Sequence, residues 1–288
     1  MSQVTSAETT NMGKAPSNLG QVGVIMKYTF LDYFRSRRFF ILLVIALVIS
    51  AILTGVIGYY RPASFMASSL GFYAGWWGMS ATFVVALSGI FFGGDAISGE
   101  FQNKTGYFTL PNPVRRSSVY VGKWLASFIA STAILTIFTA ITLANGLFYF
   151  GANVPYQFGE SVLFAWFYLA AVLGFTFFFS SLFKSGSYSI LVTAILFLFA
   201  FNLVQSLVSS LAQIEPWFLL SYGSQIIGNI LTVPYPAHTA ITSFGPEGRG
   251  PSFTTFNVGI PEGLMIIAVY FVVTAVLGLI LFEKKEFN

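Results

Sequence analysis

The chain lacks cysteine altogether and contains a single histidine, His238. Without thiols it cannot form disulfides, hold iron–sulfur clusters, build thiolate zinc sites or use a catalytic cysteine. One imidazole per chain also excludes a bis-histidine haem and any metal centre built from several histidines. These absences remove many redox and metalloenzyme chemistries from consideration.

Charged residues are scarce as well. They make up 8% of the 288 residues, whereas ordinary soluble domains contain about 25%. Hydrophobic residues amount to 56% and aromatic residues to 18%, including 33 Phe. A soluble protein so poor in charge could not cover its surface, so the composition predicts a polytopic membrane protein. The formal net charge of +4 then reflects basic loops on one side of the membrane rather than nucleic-acid binding.

Six apolar stretches are long enough to cross a bilayer as helices, which requires about 20 residues each. They cover residues 39–60, 70–92, 124–150, 162–183, 188–211 and 264–282. We therefore predict an all-α fold, with a six-helix transmembrane domain over residues 39–288.

Two different segments precede the first span. Residues 1–20 are rich in Ser, Thr, Asn, Gln and Gly, which predicts a mobile cytoplasmic tail. In residues 21–38, apolar side chains recur at helical spacing among basic ones, as at Val24, Tyr28, Leu31 and Phe34. This pattern is typical of an amphipathic helix at the membrane surface. The alternative is a basic flank that only anchors the first span.

The basic residues predict the orientation of the spans. If the N-terminus is cytoplasmic, all of the 14 Lys and Arg residues except Arg61 and Arg249 lie on the cytoplasmic side. The positive-inside rule therefore places both termini inside.

Two connections are too long to be simple turns: a cytoplasmic loop over residues 93–123 and an external loop over residues 212–263. Within the external loop, residues 216–233 are apolar but too short and interrupted to span, which favours a re-entrant or interfacial helical segment. The remaining Pro- and Gly-rich part predicts a small external cap.

No enzyme motif is present, and no glycine-rich phosphate loop precedes Lys123. The chain by itself is therefore not expected to be an enzyme or to bind ATP in the P-loop manner. The predicted spans also contain essentially no ionisable residue near their middle. Transport driven by an ion gradient normally uses one, so energy for transport would have to come from elsewhere.

Neutral polar side chains do occur in the spans. In the fifth, amides and hydroxyls recur at helical spacing, at Asn202, Gln205, Ser206 and Ser209. They line a substrate path or a two-fold interface, or they join neighbouring helices by hydrogen bonds. A similar stripe in the third span, from Thr132 to Asn145, favours helix joining. Small-residue pairs in the second span, at Gly71 and Gly75 and at Gly89 and Gly93, predict close helix packing within the subunit or across a dimer.

The cytoplasmic loop alternates carboxylates, basic residues and aromatic residues. A solvated connector would not need the aromatic residues, whereas a protein-docking surface would. The alternative is that these aromatic side chains dip into the lipid headgroups.

At these positions the sequence resembles the permeases of type-2 ABC transporters, the exporter class. The matching segments are Asp95-x-x-Ser98-Gly99-Glu100, Thr105-Gly106, Leu110-x-x-Pro113-Val114-x-Arg116, Gly122-Lys123, the basic start Arg35-Ser36-Arg37-Arg38-Phe39, and Phe179 to Ser185. The resemblance covers nearly the whole chain after Gly20.

The resemblance implies two permease subunits, forming a homo- or heterodimer in a prokaryotic cytoplasmic membrane, and two separate ATP-binding subunits that hold ATP and Mg²⁺. A coupling helix in the cytoplasmic loop would dock on the ATPase, with Glu100 sensing its movement. The implied docking residues are Asp95, Ser98, Gly99, Glu100, Phe101, Thr105, Gly106, Tyr107 and Arg116.

The resulting hypothesis is the permease of an ATP-driven exporter, with no cofactor in this chain. A membrane anchor for another complex is the second hypothesis, and a membrane enzyme is the third. The sequence does not distinguish peptides, lipids, drugs or glycans as substrates.

Overall fold

A computed structural model describes residues 17–103, 115–243 and 252–285. It is 81% helical, with very little sheet. Six helices are long and apolar enough to cross a membrane. They are Arg37–Tyr60, Ser69–Gln102, Arg116–Phe150, Tyr156–Leu182, Gly186–Ala212 and Ile260–Lys284. The predicted all-α polytopic membrane fold is therefore confirmed.

The helices extend beyond the apolar stretches in several places. The third begins at Arg116, well before the apolar stretch that starts at Trp124, so the last part of the predicted loop 93–123 is helical. Hydropathy marks only the part of a helix that lies in hydrocarbon, whereas backbone hydrogen bonds continue the helix past it.

The amphipathic segment forms a helix, α1 (Asn18–Arg35), whose first turn is capped by Ser17. It packs along the start of the third span. The approach is so close that a Cβ on Gly122 would lie 2.9 Å from Cβ of Ile25. Its opposite face is exposed and includes three of the side chains that predicted it: Val24, Tyr28 and Phe34. One face therefore packs on protein, and an apolar face remains for the membrane surface.

Tyr33 fixes the end of α1 to the bundle. Its buried hydroxyl donates to the carbonyl oxygen of Phe92 at 3.0 Å, and the hydroxyl of Ser127 donates to Tyr33 at 3.2 Å. Burial raises the pKa of Tyr33 above its usual range, so the hydroxyl keeps the proton that it donates. The helix is thus bound to both the second and the third span.

The glycines of the second span mediate packing within the chain. A Cβ on Gly89 would collide with Val172, and one on Gly93 would collide with Thr176. Both partners lie on the fourth span, so this small-residue pair allows these two helices to approach closely.

Two of the six spans contain wide π-helical turns. The second span has one at Ala74–Gly78, and the fifth has two, at Leu196–Ala200 and Val208–Ala212. Such turns leave irregular backbone spacing and are frequent near functional sites.

In the described part of the chain, residues 214–243 and 252–259 form a cap over one end of the bundle, which we call the cap end. The cap contains two short helices, α2 (Leu220–Gly223) and α3 (Ile226–Asn229). It also contains an antiparallel hairpin of β1 (Thr239–Ser243) and β2 (Ser252–Phe256). The apolar segment over residues 216–233 buries Leu220 and Ile227 completely, in agreement with a re-entrant segment. The opposite end, where α1 and Lys285 lie, is called the basal end.

Candidate functional site: the basal surface and the bundle cavity

The residues Ser98–Gln102 form a separate short helix at the basal end of the second span, after a turn over residues 94–97. We call it the basal helix. Its first N–H groups are capped from another helix, because the hydroxyl oxygen of Ser180 accepts from the N–H of Ile97 at 2.9 Å and of Ser98 at 3.0 Å. The two serine hydroxyls also lie 3.1 Å apart. The fourth span therefore supplies the cap that this helix lacks in its own sequence.

The other end of the basal helix is bound to the fifth span. The side-chain oxygen of Gln102 accepts from the N–H of Gly186 at 2.7 Å. A Cβ at position 186 would lie 3.0 Å from Cβ of Asp95 and 3.2 Å from the same Gln102 oxygen. Glycine at the start of the fifth span thus permits this contact.

Two ion pairs join the basal helix and its preceding turn to other spans. Arg38 contacts Asp95 at 2.5 Å, with 46% and 15% of their side chains exposed. Lys123 pairs with Glu100, with 14% and 18% exposed, and also donates to the carbonyl oxygen of Ala96 at 2.9 Å. The Glu100 pair is therefore the better shielded from water.

The end of the sixth span packs on the same helix. The rings of Phe101 and Phe282 meet edge to face at 6.5 Å, and the ammonium of Lys285 lies 4.3 Å from the Phe101 ring centre. The guanidinium of Arg116 donates to the backbone carbonyl of Lys285 at 2.7 Å. Burial, together with the nearby charge of Lys184, lowers the pKa of Lys285 to about 8.

The structure brings together the predicted docking residues that it describes. Asp95, Gly99, Glu100 and Phe101 lie in or beside the basal helix, and Arg116 reaches it through the end of the sixth span. Ser98 is fully buried, so within this subunit its role is to bind Ser180. Thr105, Gly106 and Tyr107 lie outside the described residues.

A recess of about 560 Å³ opens beside this helix. Its lining includes the charged residues Asp32, Arg38, Asp95, Glu100 and Lys123. Aromatic, acidic and basic side chains are thus collected on one surface, which suits docking of a protein partner better than a plain lipid contact.

Sequence reasoning missed the partners of these residues. The resemblance includes the segment Phe179–Ser185, but the sequence alone indicates no role for Ser180. Arg38 and Lys123 appeared as basic residues of the loops without a partner. Only the folded bundle brings them to Asp95 and Glu100.

A cavity of about 620 Å³ lies between the second, fourth and fifth spans and the cap. The polar residues that line it are all neutral: Thr82, Tyr168, Asn202, Gln205, Ser221, Ser224, Gln225, Asn229 and Asn257. Two of the π-helical turns border it, through Gly78 and Phe199. The irregular turns therefore help to shape this space.

The four polar residues predicted for a translocation path all line this cavity or its neighbour. Asn202 and Gln205 line both the large cavity and an adjoining one of about 310 Å³, and Ser206 and Ser209 line the smaller one. Gln205 accepts a hydrogen bond from the hydroxyl of Ser221 at 2.8 Å. The side-chain oxygen of Gln225 is buried without a hydrogen-bond partner in the described part of the chain.

The polar stripe of the third span behaves differently. Thr139, Thr142 and Asn145 each donate to a backbone carbonyl one turn earlier in their own helix. These hydrogen bonds lie within one helix, so at these three positions they do not provide the joining of neighbouring helices that the sequence predicted, and the buried hydroxyl of Thr132 has no hydrogen-bond partner in the described part of the chain.

The family model described as ABC-2 family transporter protein matches residues 24–287. No curated protein matches the chain. The match begins within α1 and continues through all six spans, so it includes both the basal surface and the cavity. The chain therefore belongs to the ABC-2 family of transporter permeases, as a transmembrane component of a transporter.

Proposed function

We propose that this chain is the permease subunit of an ATP-driven exporter, and that the basal helix transmits movement of an ABC ATPase to the spans. Membership of the ABC-2 family implies association with ABC ATPases in general. The observation that carries the proposal is the set of contacts of the basal helix, which reach every span.

Through these contacts, a movement of the basal helix would be transmitted to several spans at once. The helix follows the second span after the turn over residues 94–97, and it binds the fourth span through Ser180 and the fifth through Gly186. Lys123 connects it to the third span, and Phe282 to the sixth. The preceding turn reaches the first span through Asp95. A push on this surface is therefore distributed over the whole bundle instead of bending one loop.

The cavity is the proposed translocation path. Its neutral amide and hydroxyl lining offers hydrogen bonds but no fixed charge, which suits a substrate with neutral polar groups beside apolar ones. The lack of charge also means that the cavity offers no carboxylate for a coupling ion. ATP hydrolysis by the partner subunits is then the energy source.

The proposed assembly contains two ATP-binding subunits, which hold ATP and Mg²⁺, and a second permease subunit, identical or related. In the described residues, Arg61 is the single Lys or Arg at the cap end, and the other basic residues lie towards the basal end. The positive-inside rule therefore supports a cytoplasmic basal end with both termini inside a prokaryotic plasma membrane.

Purification from the native host in mild detergent tests the assembly. We expect mass spectrometry to find a P-loop ATPase in near-equal amount with this chain. Recovery of a different, non-ATPase subunit under the same conditions would instead favour the membrane-anchor hypothesis and would contradict the coupling role of the basal helix.

Cysteine labelling tests the path, because the native chain has no cysteine to cause background. Asn202→Cys places a thiol in the cavity, whereas Leu203→Cys places one on the exposed apolar side of the same helix. A water-soluble maleimide should modify the first variant much faster than the second in membranes. Equal rates would contradict a water-accessible path at Asn202.

A further inference from the structure

We propose that Glu215, His238 and Glu262 at the cap end form a binding site for a divalent transition-metal ion, with Zn²⁺ as the best match. Each residue offers one ligand atom, and these atoms all lie within 4.8 Å of one another. The residues come from three segments: the connection after the fifth span, the approach to β1, and the first turn of the sixth span. None of the three residues belongs to the basal surface or lines the cavity, although Asn257, which contacts His238, does line the cavity.

The distance between two of the three ligand atoms fits a tetrahedral ion. Nε2 of His238 lies 3.4 Å from Oε2 of Glu215. The edge of a tetrahedron with metal–ligand bonds of about 2.1 Å is about 3.4 Å long. The pair therefore needs little movement to hold one ion between them.

The imidazole is held in the form that binds a metal. Nδ1 of His238 lies 3.1 Å from the carbonyl oxygen of Asn257. A carbonyl oxygen only accepts hydrogen bonds, so Nδ1 bears the proton and donates it. In the neutral ring the lone pair is then on Nε2, which is the atom that faces Glu215.

Both carboxylates are also oriented by neighbours. The hydroxyl of Tyr222 donates to Oε1 of Glu215 at 2.6 Å, which leaves Oε2 facing the imidazole. The N–H of Gly259 donates to Oε2 of Glu262 at 3.3 Å. Such second partners of each ligand are typical of protein metal sites.

The donor set selects the kind of ion. Two carboxylates so close together repel each other unless a proton or a cation lies between them. One imidazole with two carboxylates is a set that suits Zn²⁺, whereas Mg²⁺ and Ca²⁺ prefer oxygen ligands alone. The side chains of His238 and Glu215 are 55% and 27% exposed, so an ion can enter and a water molecule can complete its coordination.

Metal titration of the purified full-length chain tests the site. After treatment with a chelator, Zn²⁺ is added in competition with a fluorescent zinc indicator. We expect one strong site per chain. The variants His238→Ala and Glu262→Gln should each weaken Zn²⁺ binding by at least about 10-fold, because each removes a ligand. His238 is exposed, so its replacement leaves the packing of the cap intact.

Two further variants separate a metal site from a general loss of structure. Tyr222→Phe keeps all three ligands but frees Glu215, and should weaken binding by about 10-fold, as loss of a second partner usually does. Glu160→Gln removes an exposed carboxylate at the same end of the bundle and should leave the affinity unchanged. Wild-type protein that binds Zn²⁺ no more tightly than His238→Ala would overturn the proposal, and so would an equal loss in Glu160→Gln.

Discussion

The ion pair between Glu100 and Lys123 provides the most informative test of the basal helix. We consider three variants: Glu100→Gln, Lys123→Met and the double variant that combines them. Each single variant removes one of the two charges of this ion pair and keeps the other. The double variant removes both charges and retains side chains of similar size.

The exposure of the pair sets the expected magnitude. Breaking a buried pair by removing one partner costs about 3–5 kcal/mol, and exposed pairs contribute about 0–1 kcal/mol. With 14% and 18% of their side chains exposed, Lys123 and Glu100 lie between these limits. Each single variant should therefore lose about 1–3 kcal/mol of unfolding free energy, since water still reaches the pair. The double variant should recover part of that loss, because the two charges of the pair are removed together and only the bond from Lys123 to Ala96 is still missing.

Two assays separate the structural role from the coupling role. Thermal unfolding in detergent reports the stability of each variant. The ATPase rate of the partner subunits, reconstituted with and without this chain, reports coupling and needs no knowledge of the substrate. We expect the double variant to regain stability while stimulation of the ATPase stays low, because the carboxylate of Glu100 is still absent from the docking surface.

The outer pair is a matched comparison. Arg38 is 46% exposed, so Arg38→Met should cost less than about 1 kcal/mol. If the double variant of Glu100 and Lys123 restores ATPase stimulation together with stability, Glu100 acts only by neutralising Lys123, and the proposed sensing role is refuted. If the double variant is no more stable than the singles, the pair itself is not energetically coupled.

Three further predictions concern packing, capping and pH. Gly89→Ala should destabilise the chain by about 1–3 kcal/mol, because the added Cβ would collide with Val172. Gly55→Ala is the control, since the space around Gly55 is open, and it should not destabilise the chain. Thermal unfolding measures both variants, and equal effects would contradict the close packing at Gly89. Ser180→Ala removes the hydroxyl that accepts from the N–H groups of Ile97 and Ser98, and it should cost about 1–3 kcal/mol of unfolding free energy. The backbone amide hydrogen of Ser98 should then exchange faster with solvent, and an unchanged exchange rate would contradict the cap. Burial lowers the pKa of Lys285 from 10.5 to about 8, so the unfolded chain binds more protons in that window. Wild type should gain up to about 1 kcal/mol over Lys285→Met as pH rises from 8 to 10, and a constant difference would contradict the shift.

The spans could be predicted from the sequence because the cost of exposing backbone to lipid forces each apolar stretch into a helix. The amphipathic helix followed from the spacing of Val24, Tyr28 and Phe34. The sequence also pointed to Asn202 and Gln205, which line the cavity, because burying an amide in a membrane span is costly. These signals are local, and each can be recognised from a short segment of chain.

The partners of the site residues are not local. Ser180 caps a helix 82 residues earlier, and Arg38 pairs with a carboxylate 57 residues later. A serine in a helix end or an arginine at a membrane surface has many equally favourable partners until the spans are packed. The glycines of the second span are similar: the spacing predicts a close approach, but only the structure shows Val172 and Thr176 on the other side.

The fifth span connects the two parts of the proposed mechanism. Only 17% of its most apolar stretch is buried, against 67% for the second span, so few of its side chains pack in the core of the bundle. It starts at Gly186, whose N–H donates to Gln102 of the basal helix, and it lines the cavity with Asn202 and Gln205. One of its π-helical turns, Leu196–Ala200, lies between these contacts. Under the proposed mechanism, a displacement of the basal helix would reach the cavity through this lightly packed helix, and the second and fourth spans, which approach closely at Gly89, would be the frame against which it moves.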